Sequence, residues 1–154
     1  MKILIKDFLK TDPYYVKVVV GEARVFVLRQ VFTKMVQNCI LDLPFESCGL
    51  LVGKPLFIED IYKVRNIMES PVAFEMDSFE VTKILNFVNT KGEKFLGIYH
   101  SHPTAEPFPS YEDIKNFDYE DLFYFIVSLK YDYPIVGCFK IKDSKVIPVL
   151  IELI

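Results

Sequence analysis

The two histidines of the chain are separated by a single residue, in the segment His100-Ser101-His102. The residues before them, 95–99, are aromatic or aliphatic apart from one glycine, which predicts a β-strand. Alternate side chains of a strand leave the same face, so both imidazoles are expected to point the same way. Zinc binds histidine nitrogen and carboxylate oxygen, and a catalytic zinc keeps three protein ligands and a water. With two histidines in the sequence, a third ligand has to be a carboxylate or a thiolate.

Asp113 is the best candidate for that third ligand. The proline-rich loop 103–109 can turn the chain back, and Ser110 can begin a helix that presents Asp113. The same spacing is that of a capping box, so the pair could do no more than cap a helix while the histidines sit in a core. The serine and aspartate at fixed offsets, together with an upstream segment at 44–53, favour the metal site.

That upstream segment reads Pro-Phe-Glu-Ser-Cys-Gly-Leu-Leu-Val-Gly, and its acidic residue is Glu46. The apolar stretch from Cys48 to Val52 predicts a buried strand directly after this glutamate. On the sequence alone, Glu46 is either a surface loop carboxylate or a general base whose pKa is raised by dry surroundings. A base of the second kind could take a proton from a metal-bound water at neutral pH.

Taken together, these segments resemble the JAMM (MPN-plus) zinc metalloprotease family. Its signature is a glutamate, a distant H-[ST]-H, seven residues, a serine, two residues and an aspartate. Here seven residues lie between His102 and Ser110 and two between Ser110 and Asp113, so every position is matched. The resemblance covers residues 26–154, which predicts a JAMM/MPN domain preceded by an N-terminal extension, residues 1–25, that forms strands.

The resemblance implies a role for each of these residues. His100, His102 and Asp113 would carry one zinc ion per chain, with a bound water in the fourth position. Glu46 would take the proton of that water and later give it to the leaving amine, while Ser110 would donate a hydrogen bond to the developing oxyanion. The reaction is then hydrolysis of a peptide or isopeptide bond. Ser101 lies between the ligands, faces the other side of the strand and is interpreted as support for them.

The substrates of the family are C-terminal tails of ubiquitin or ubiquitin-like proteins. The segments 69–77 and after Asp113 are short, which leaves little room for the insertions with which eukaryotic members recognise ubiquitin chains. The resemblance therefore implies a compact prokaryotic type. It would either process the C-terminus of a β-grasp sulfur-carrier protein or remove a small modifier from lysines, and an extended tail could pair with a strand beside the zinc. Both activities, and self-association into a homo-oligomer, stay open.

Two other classes of protein fit the sequence less well. An inactive MPN-type scaffold would use the same fold for heterodimer formation, but such members usually lack the ligands, and all five positions are present here. A zinc deaminase requires H-x-E with P-C-x-x-C, and the sequence has neither. Cys48 is interpreted as a small buried hydrophobe rather than as the nucleophile of a Cys-His hydrolase.

Length and composition limit the remaining possibilities. A chain of 154 residues with 51% hydrophobic and 15% aromatic residues predicts one folded domain. The net charge of −3, without a block of like charges, argues against nucleic-acid binding. Three cysteines without C-x-x-C argue against a disulfide framework and predict a reducing, cytoplasmic setting. No apolar run reaches the ~20 residues of a membrane span, and the charged start does not resemble a signal peptide.

The periodicity of apolar residues predicts the elements that position the site. Helical spacing runs from Leu28 to Cys39, and a second helix is capped by Asp77 or Ser78 and ends before Gly92. A short helix is expected from Ser110 to about residue 117. The predicted strands include 57–64, 123–129, and a hairpin of 135–142 with 145–151, and two further apolar stretches lie in residues 1–25. This alternation predicts a single α/β domain, a mixed curved β-sheet flanked by helices, as in the JAMM/MPN fold.

Overall fold

The computed structural model describes residues 23–117 and 119–154. In order, their elements are β1 (Arg24–Val27), α1 (Arg29–Leu41), β2 (Cys48–Lys54), β3 (Phe57–Val64), α2 (Ser78–Thr90), β4 (Lys94–His102), α3 (Tyr111–Asn116), β5 (Phe123–Ser128), β6 (Ile135–Lys142), β7 (Lys145–Pro148) and β8 (Leu150–Leu153). The strands predicted within residues 1–22 lie outside this part of the chain. The division into an extension and a domain at residue 26 stays a prediction, and β1 runs across that position.

The eight strands form one mixed sheet in the order β7-β6-β5-β4-β2-β3-β1-β8. The β4–β5, β1–β3 and β1–β8 pairs are parallel, and the other pairs are antiparallel. The strands β7 and β8 stand at opposite ends of this order, although only Val149 separates them in sequence. Its N–H donates to the carbonyl of Cys138 in β6 (2.8 Å), and β8 contacts β6. The sheet is therefore strongly curved, and its two ends approach each other.

The prediction that residues 145–151 form one strand of a hairpin is wrong in its second half. β7 pairs with β6 as expected, up to Pro148 opposite Phe139. The chain then leaves this pairing at Val149, and β8 pairs with β1 in parallel instead. Proline has no N–H to donate, so it cannot continue the ladder in both directions. Two strands therefore replace the predicted single one.

Helix α1 covers one face of the sheet. Its buried side chains Val31, Met35 and Cys39 follow the helical spacing seen in the sequence, and they pack against Leu51, Tyr99 and other strand residues to form the larger hydrophobic cluster. Gly49 of β2 faces Tyr99 across the β2–β4 pair, and the tyrosine ring occupies the space that a side chain at residue 49 would need. The hydroxyl of Tyr99 accepts a hydrogen bond from Asn38 of α1 (3.1 Å). Burial of this apolar stripe fixes α1 on the sheet.

The opposite face of the sheet carries a second and smaller cluster. Its buried members are Phe117, Tyr124, Ile126, Phe139, Ile141 and Val146, and Ile98 of β4 packs against them. Because side chains alternate along β4, His100 and His102 leave the sheet on the same face as Ile98. The short helix α3 lies over this face through Ile114. The histidines therefore lie where the sheet, α3 and the loop between β4 and α3 meet.

Candidate active site

The two imidazoles come together at the end of β4. His100 pairs with Cys48 of β2 on one side and with Ile126 of β5 on the other, so its backbone is held by both neighbouring strands. The His100 and His102 side chains are buried, and their Nε2 atoms are 2.9 Å apart. This strand ladder sets the two rings on one face, as the alternation predicts.

Asp113 reaches the same point from α3. The hydroxyl of Ser110 accepts a hydrogen bond from the Asp113 N–H (3.0 Å), and Asp113 Oδ2 accepts one from the Ser110 N–H (2.9 Å). This is a complete capping box. The same Oδ2 atom lies 3.1 Å from His102 Nε2 and 3.3 Å from His100 Nε2. The Asp113 carboxylate therefore completes the helix cap and also lies against both imidazoles. The sequence could not decide between a cap and a metal site because the two roles are compatible.

Glu46 lies between α1 and β2, with only 4% of its surface exposed. Its Oε1 atom is 3.7 Å from His100 Nε2. Its backbone is fixed on both sides, because its N–H donates to the Ser70 carbonyl (2.8 Å) and its carbonyl accepts from Asn66 Nδ2 (3.0 Å). Burial raises the pKa of Glu46 to about 8, against a lowering by His102. The buried Oε1 has no hydrogen-bond partner among the residues that the structure describes, so it is free to face a ligand.

Ser101 fastens the segment of Glu46 to the strand of the histidines. Its hydroxyl accepts a hydrogen bond from the Ser47 N–H (2.8 Å), and its own N–H donates to the Ser47 carbonyl (3.0 Å). Both residues are fully buried. Since Ser101 faces away from the imidazoles, it fixes the distance between Glu46 and the histidines without contacting any group of the site.

The two histidine rings are oriented by different neighbours. His102 Nδ1 is 2.7 Å from the carbonyl oxygen of Glu106, so a proton on Nδ1 is donated there and the lone pair on Nε2 points into the site. His100 Nδ1 has no hydrogen-bond partner within the described part of the chain. Instead, the His100 ring is stacked between Phe74 (centroids 4.5 Å apart) and Tyr124 (5.1 Å).

The charge states of these groups suit a bound cation. Burial lowers the pKa of His100, against an opposing influence of Asp113, so that this ring is neutral. Burial also opposes ionisation of Asp113, but His100 and His102 together hold its pKa well below the usual range. Burial opposes protonation of His102 as well, but its hydrogen bond to Asp113 outweighs this effect and raises its pKa. Asp113 thus offers an ionised carboxylate and His100 a neutral imidazole, and a cation bound at His102 Nε2 would take the place of the proton that this nitrogen shares with Asp113.

The donor distances fit a tetrahedral metal ion. Two ligands that each lie about 2.0–2.1 Å from a tetrahedral zinc are about 3.3 Å from each other. The three distances among His100 Nε2, His102 Nε2 and Asp113 Oδ2 are 2.9, 3.1 and 3.3 Å. Glu46 offers a further oxygen, within 4.8 Å of both imidazole donor atoms. Two nitrogens and one carboxylate oxygen form a typical zinc donor set, and the more distant Glu46 remains beside it.

Cys48 does not have the properties of a nucleophile. Its side chain is fully buried, and its Sγ lies 3.4 Å from the Val64 carbonyl. Burial raises the pKa of Cys48 to about 12, so the thiolate is not formed at neutral pH. The prediction of a buried small hydrophobe at this position is confirmed.

The sequence interpretation missed several residues that shape the site. Tyr124 could have been found, because it lies on a predicted strand two residues from Ile126, which pairs with His100. Phe74 and the carbonyl of Glu106 had no such signal, since both lie in loops whose course is set by tertiary contacts. Asn66 lies after β3 and bridges the carbonyls of Glu46 and Ala73, which likewise depends on the folded loop.

Solved structures share this fold. Protein DSY2949 from Desulfitobacterium hafniense superimposes with a TM-score of 0.77 and 32% identity, over 84% of this chain and 92% of that one. A JAMM protein, described as a metalloprotease-like zinc site in the proteasome and signalosome, gives a TM-score of 0.56 and 19% identity over 86% of this chain and 99% of that one. The fold is therefore the JAMM/MPN fold, as the sequence predicted.

The family assignment rests on sequence relatives. Residues 28–138 match the family described as prokaryotic homologs of the JAB domain. A desampylase of Pyrococcus furiosus is 30% identical over 107 residues, 70% of this chain and 76% of that protein. A CysO-cysteine peptidase of Mycobacterium tuberculosis is 32% identical over 116 residues, 71% of this chain and 77% of that protein. The chain belongs to the prokaryotic JAB family. With such relatives and this cluster of side chains, it is a hydrolase with a candidate metal site.

Proposed function

We propose that this chain is a zinc-dependent peptidase or isopeptidase that hydrolyses the bond at the C-terminus of a ubiquitin-like, β-grasp protein. The names desampylase and CysO-cysteine peptidase indicate hydrolysis at the C-terminal linkages of ubiquitin-like modifiers and sulfur-carrier proteins. One observation carries the proposal for this chain. His100 Nε2, His102 Nε2 and Asp113 Oδ2 converge within 2.9–3.3 Å beside the buried carboxylate of Glu46.

In this proposal His100, His102 and Asp113 hold one zinc ion per chain and leave a fourth position for water or substrate. Zinc supplies Lewis acidity, which brings the pKa of a water to near ~7 and polarises a carbonyl group. Phe74 and Tyr124 pack on the two faces of the His100 ring, whereas the Asp113 side chain is 10% exposed.

Glu46 acts as the general base and then as the acid. Its free Oε1 takes a proton from the attacking water and later delivers it to the nitrogen of the leaving amine. The pKa of about 8 is lowered when a dication binds at the imidazoles beside it, since positive charge favours the carboxylate. The hydrogen bonds of its backbone to Ser70 and Asn66 keep the carboxylate in place while the proton moves.

Ser110 donates to the oxyanion. Its hydroxyl oxygen already accepts a hydrogen bond from the Asp113 N–H, which leaves its O–H proton available for donation. The Ser110 side chain is exposed, beside the ligand Asp113, where a substrate carbonyl would approach. One well-placed donor of this kind contributes about 3 kcal/mol to the transition state.

The test is a panel of purified β-grasp proteins, some with C-terminal extensions and some conjugated to lysine, incubated with the zinc-loaded chain. Intact-mass spectrometry reads both kinds of cleavage directly. Release of the extension alone identifies a processing peptidase, and release from lysine alone identifies a deconjugating isopeptidase. Glu46→Gln serves as the matched inactive variant, because it keeps the shape of the side chain. Cleavage of neither kind by zinc-loaded protein, or equal cleavage by Glu46→Gln, would contradict the proposal.

A further inference from the structure

Two consecutive residues of the loop that follows β4, Ala105 and Glu106, accept hydrogen bonds from side chains of β5 and of the connection after it. The hydroxyl of Ser128, the last residue of β5, donates to the carbonyl of Ala105 (2.6 Å). The carboxylate oxygen Oε1 of Glu106 accepts hydrogen bonds from Lys130 Nζ (2.9 Å) and from the hydroxyl of Tyr131. The donors belong to β5 and to the connection that follows it.

The anchored residue is also the one that orients a candidate metal ligand. The backbone carbonyl of Glu106 receives the Nδ1 proton of His102 (2.7 Å). A hydrogen bond of this kind fixes which ring nitrogen carries the proton and directs the other toward the metal. The Glu106 side chain faces the β5–β6 connection, whereas its backbone carbonyl faces the His102 imidazole. One residue therefore links the contact with Lys130 and Tyr131 to the contact with His102.

We propose that Glu106 is a positioning residue of the metal site. Through Lys130 and Tyr131 it holds its own carbonyl against His102, and so strengthens zinc binding without touching the ion. This inference rests on the ligand role of His102 in the proposed function. It adds the β5–β6 connection to the parts of the molecule that control the metal.

The Glu106 side chain should contribute little to the global stability of the fold. Lys130 is 44% exposed and Glu106 is 31% exposed, and exposed ion pairs contribute little to global stability. The end of β4 is also joined to β5 by a backbone hydrogen bond, from the Leu129 N–H to the His102 carbonyl (3.0 Å). Ser128 also still holds the Ala105 carbonyl when the Glu106 side chain is removed. Loss of that side chain should therefore leave the fold intact and loosen only the segment that carries the Glu106 carbonyl.

Glu93 provides a matched control. Its Oε1 pairs with Lys91 Nζ at 2.8 Å, with exposures of 22% and 41%. In both glutamates the second carboxylate oxygen is buried without a hydrogen-bond partner among the residues described. Glu93 precedes β4, at the opposite end of the strand from His102, which corresponds to about 30 Å along an extended strand. Glu93→Ala removes the same kind of contact far from the site.

The experiment titrates the metal-free protein with zinc in competition with a chromophoric chelator. Glu106→Ala should bind zinc roughly 10-fold more weakly, at the lower end of the 10–100-fold loss for an outer-shell partner, because the carbonyl itself remains. Glu106→Gln keeps an acceptor for Tyr131 and should restore part of the affinity. Tyr131→Phe should weaken binding, and its effect should be less than additive with Glu106→Ala, because both remove one contact. Glu93→Ala should equal the wild type.

A second readout follows His102 in the zinc-loaded protein by ¹H–¹⁵N spectroscopy. The Nδ1 proton should be protected from exchange in the wild type and exchange faster in Glu106→Ala. Zinc binding and proton exchange in Glu106→Ala that match Glu93→Ala would overturn the positioning role. The ligand assignment is tested separately by His102→Ala: zinc binding retained there contradicts the proposed function itself, and zinc binding lost there, with Glu106→Ala unaffected, contradicts only this inference.

Discussion

Single residues of the site are held in place by unlike forces. His102 is oriented by one hydrogen bond to a backbone carbonyl, whereas His100 is oriented by stacking between Phe74 and Tyr124. Stacking holds the plane of a ring but assigns no proton, so the tautomer of His100 is not fixed through Nδ1, while its Nε2 faces the site. Glu46 is held through its backbone, which leaves its Oε1 without a hydrogen bond among the described residues. Substitutions at these residues should therefore have separable effects.

Glu46→Gln should lower the rate of substrate cleavage by roughly 10²–10⁴-fold, because the amide cannot accept the proton of the attacking water. Zinc content should equal that of the wild type, since the imidazoles and Asp113 are unchanged. Single-turnover cleavage and metal analysis by mass spectrometry measure the two effects. Glu112→Gln, an exposed carboxylate in the first turn of α3, is the control and should retain full activity.

Asp113→Asn should weaken zinc binding while leaving α3 folded. The amide oxygen of asparagine can still accept the Ser110 N–H, so the helix cap survives, but the negative charge that favours the cation is lost. Zinc titration and circular dichroism separate the two properties. An Asp113→Asn protein that binds zinc as tightly as the wild type would remove Asp113 from the ligand set.

At the scale of secondary-structure elements, α3 is unusual because its N-terminal cap lies in the site. The helix has only 6 residues and no buried side chain, so the capping box contributes much of what holds it in place. Ser110 therefore combines a structural task with the proposed donation to the oxyanion. The two tasks can be separated by replacing the hydroxyl in different ways.

Ser110→Ala should lower the free energy of unfolding by about 1 kcal/mol through loss of the cap. In the same variant the cleavage rate should fall by roughly 10²–10³-fold if the hydroxyl donates to the oxyanion. Ser110→Thr keeps a hydroxyl for both tasks and should stay close to the wild type in each. Urea unfolding and steady-state cleavage give the two quantities, and a drop in stability without a drop in rate would assign Ser110 to the cap alone.

The elements that bear the site were predictable from the sequence, and their surroundings were not. The helical spacing of Val31, Met35 and Cys39 and the alternation around His100 are local patterns that one buried face imposes, and α1 and β4 follow them. The separation of β7 from β8 arises because the residues after Val149 pair with β1, which is distant in sequence, and no local pattern predicts that pairing. Phe74 reaches His100 from a loop, so its place in the site is also a tertiary property.

At the scale of the whole molecule, the site joins segments that are far apart in sequence. Glu46 follows α1, the histidines end β4, and Asp113 belongs to α3, so these elements must all be in place for the donors to converge. Zinc that binds only the folded chain shifts the equilibrium toward it. Among the described residues, none of the helices combines the length and hydrophobicity needed to span a membrane. The cytoplasmic setting, the absence of nucleic-acid partners and self-association stay predictions.

Removal of zinc should lower the midpoint of thermal unfolding. At a free zinc concentration 100 times the dissociation constant, the linkage amounts to about 2.7 kcal/mol, which corresponds to roughly 5–10 °C for a chain of this size. Scanning calorimetry with and without a chelator measures the difference.

Alkylating reagents should leave native activity unchanged, because Cys39, Cys48 and Cys138 are all buried. Loss of activity on alkylation with full zinc retention would contradict the metallo-hydrolase mechanism.

The pairing of β1 with β8 has a consequence for biosynthesis. Arg24 lies opposite Leu150 and Val27 opposite Leu153. The backbone hydrogen bonds on this side of β1 therefore cannot form until β8, the last described strand, has been synthesised. During translation at about 5–20 residues per second, the edge of β1 meant for β8 stays unsatisfied until nearly all of the described chain has left the ribosome. An exposed strand edge of this kind attracts other chains. Nascent protein stalled before residue 150 should therefore be the form that is most prone to associate with chaperones.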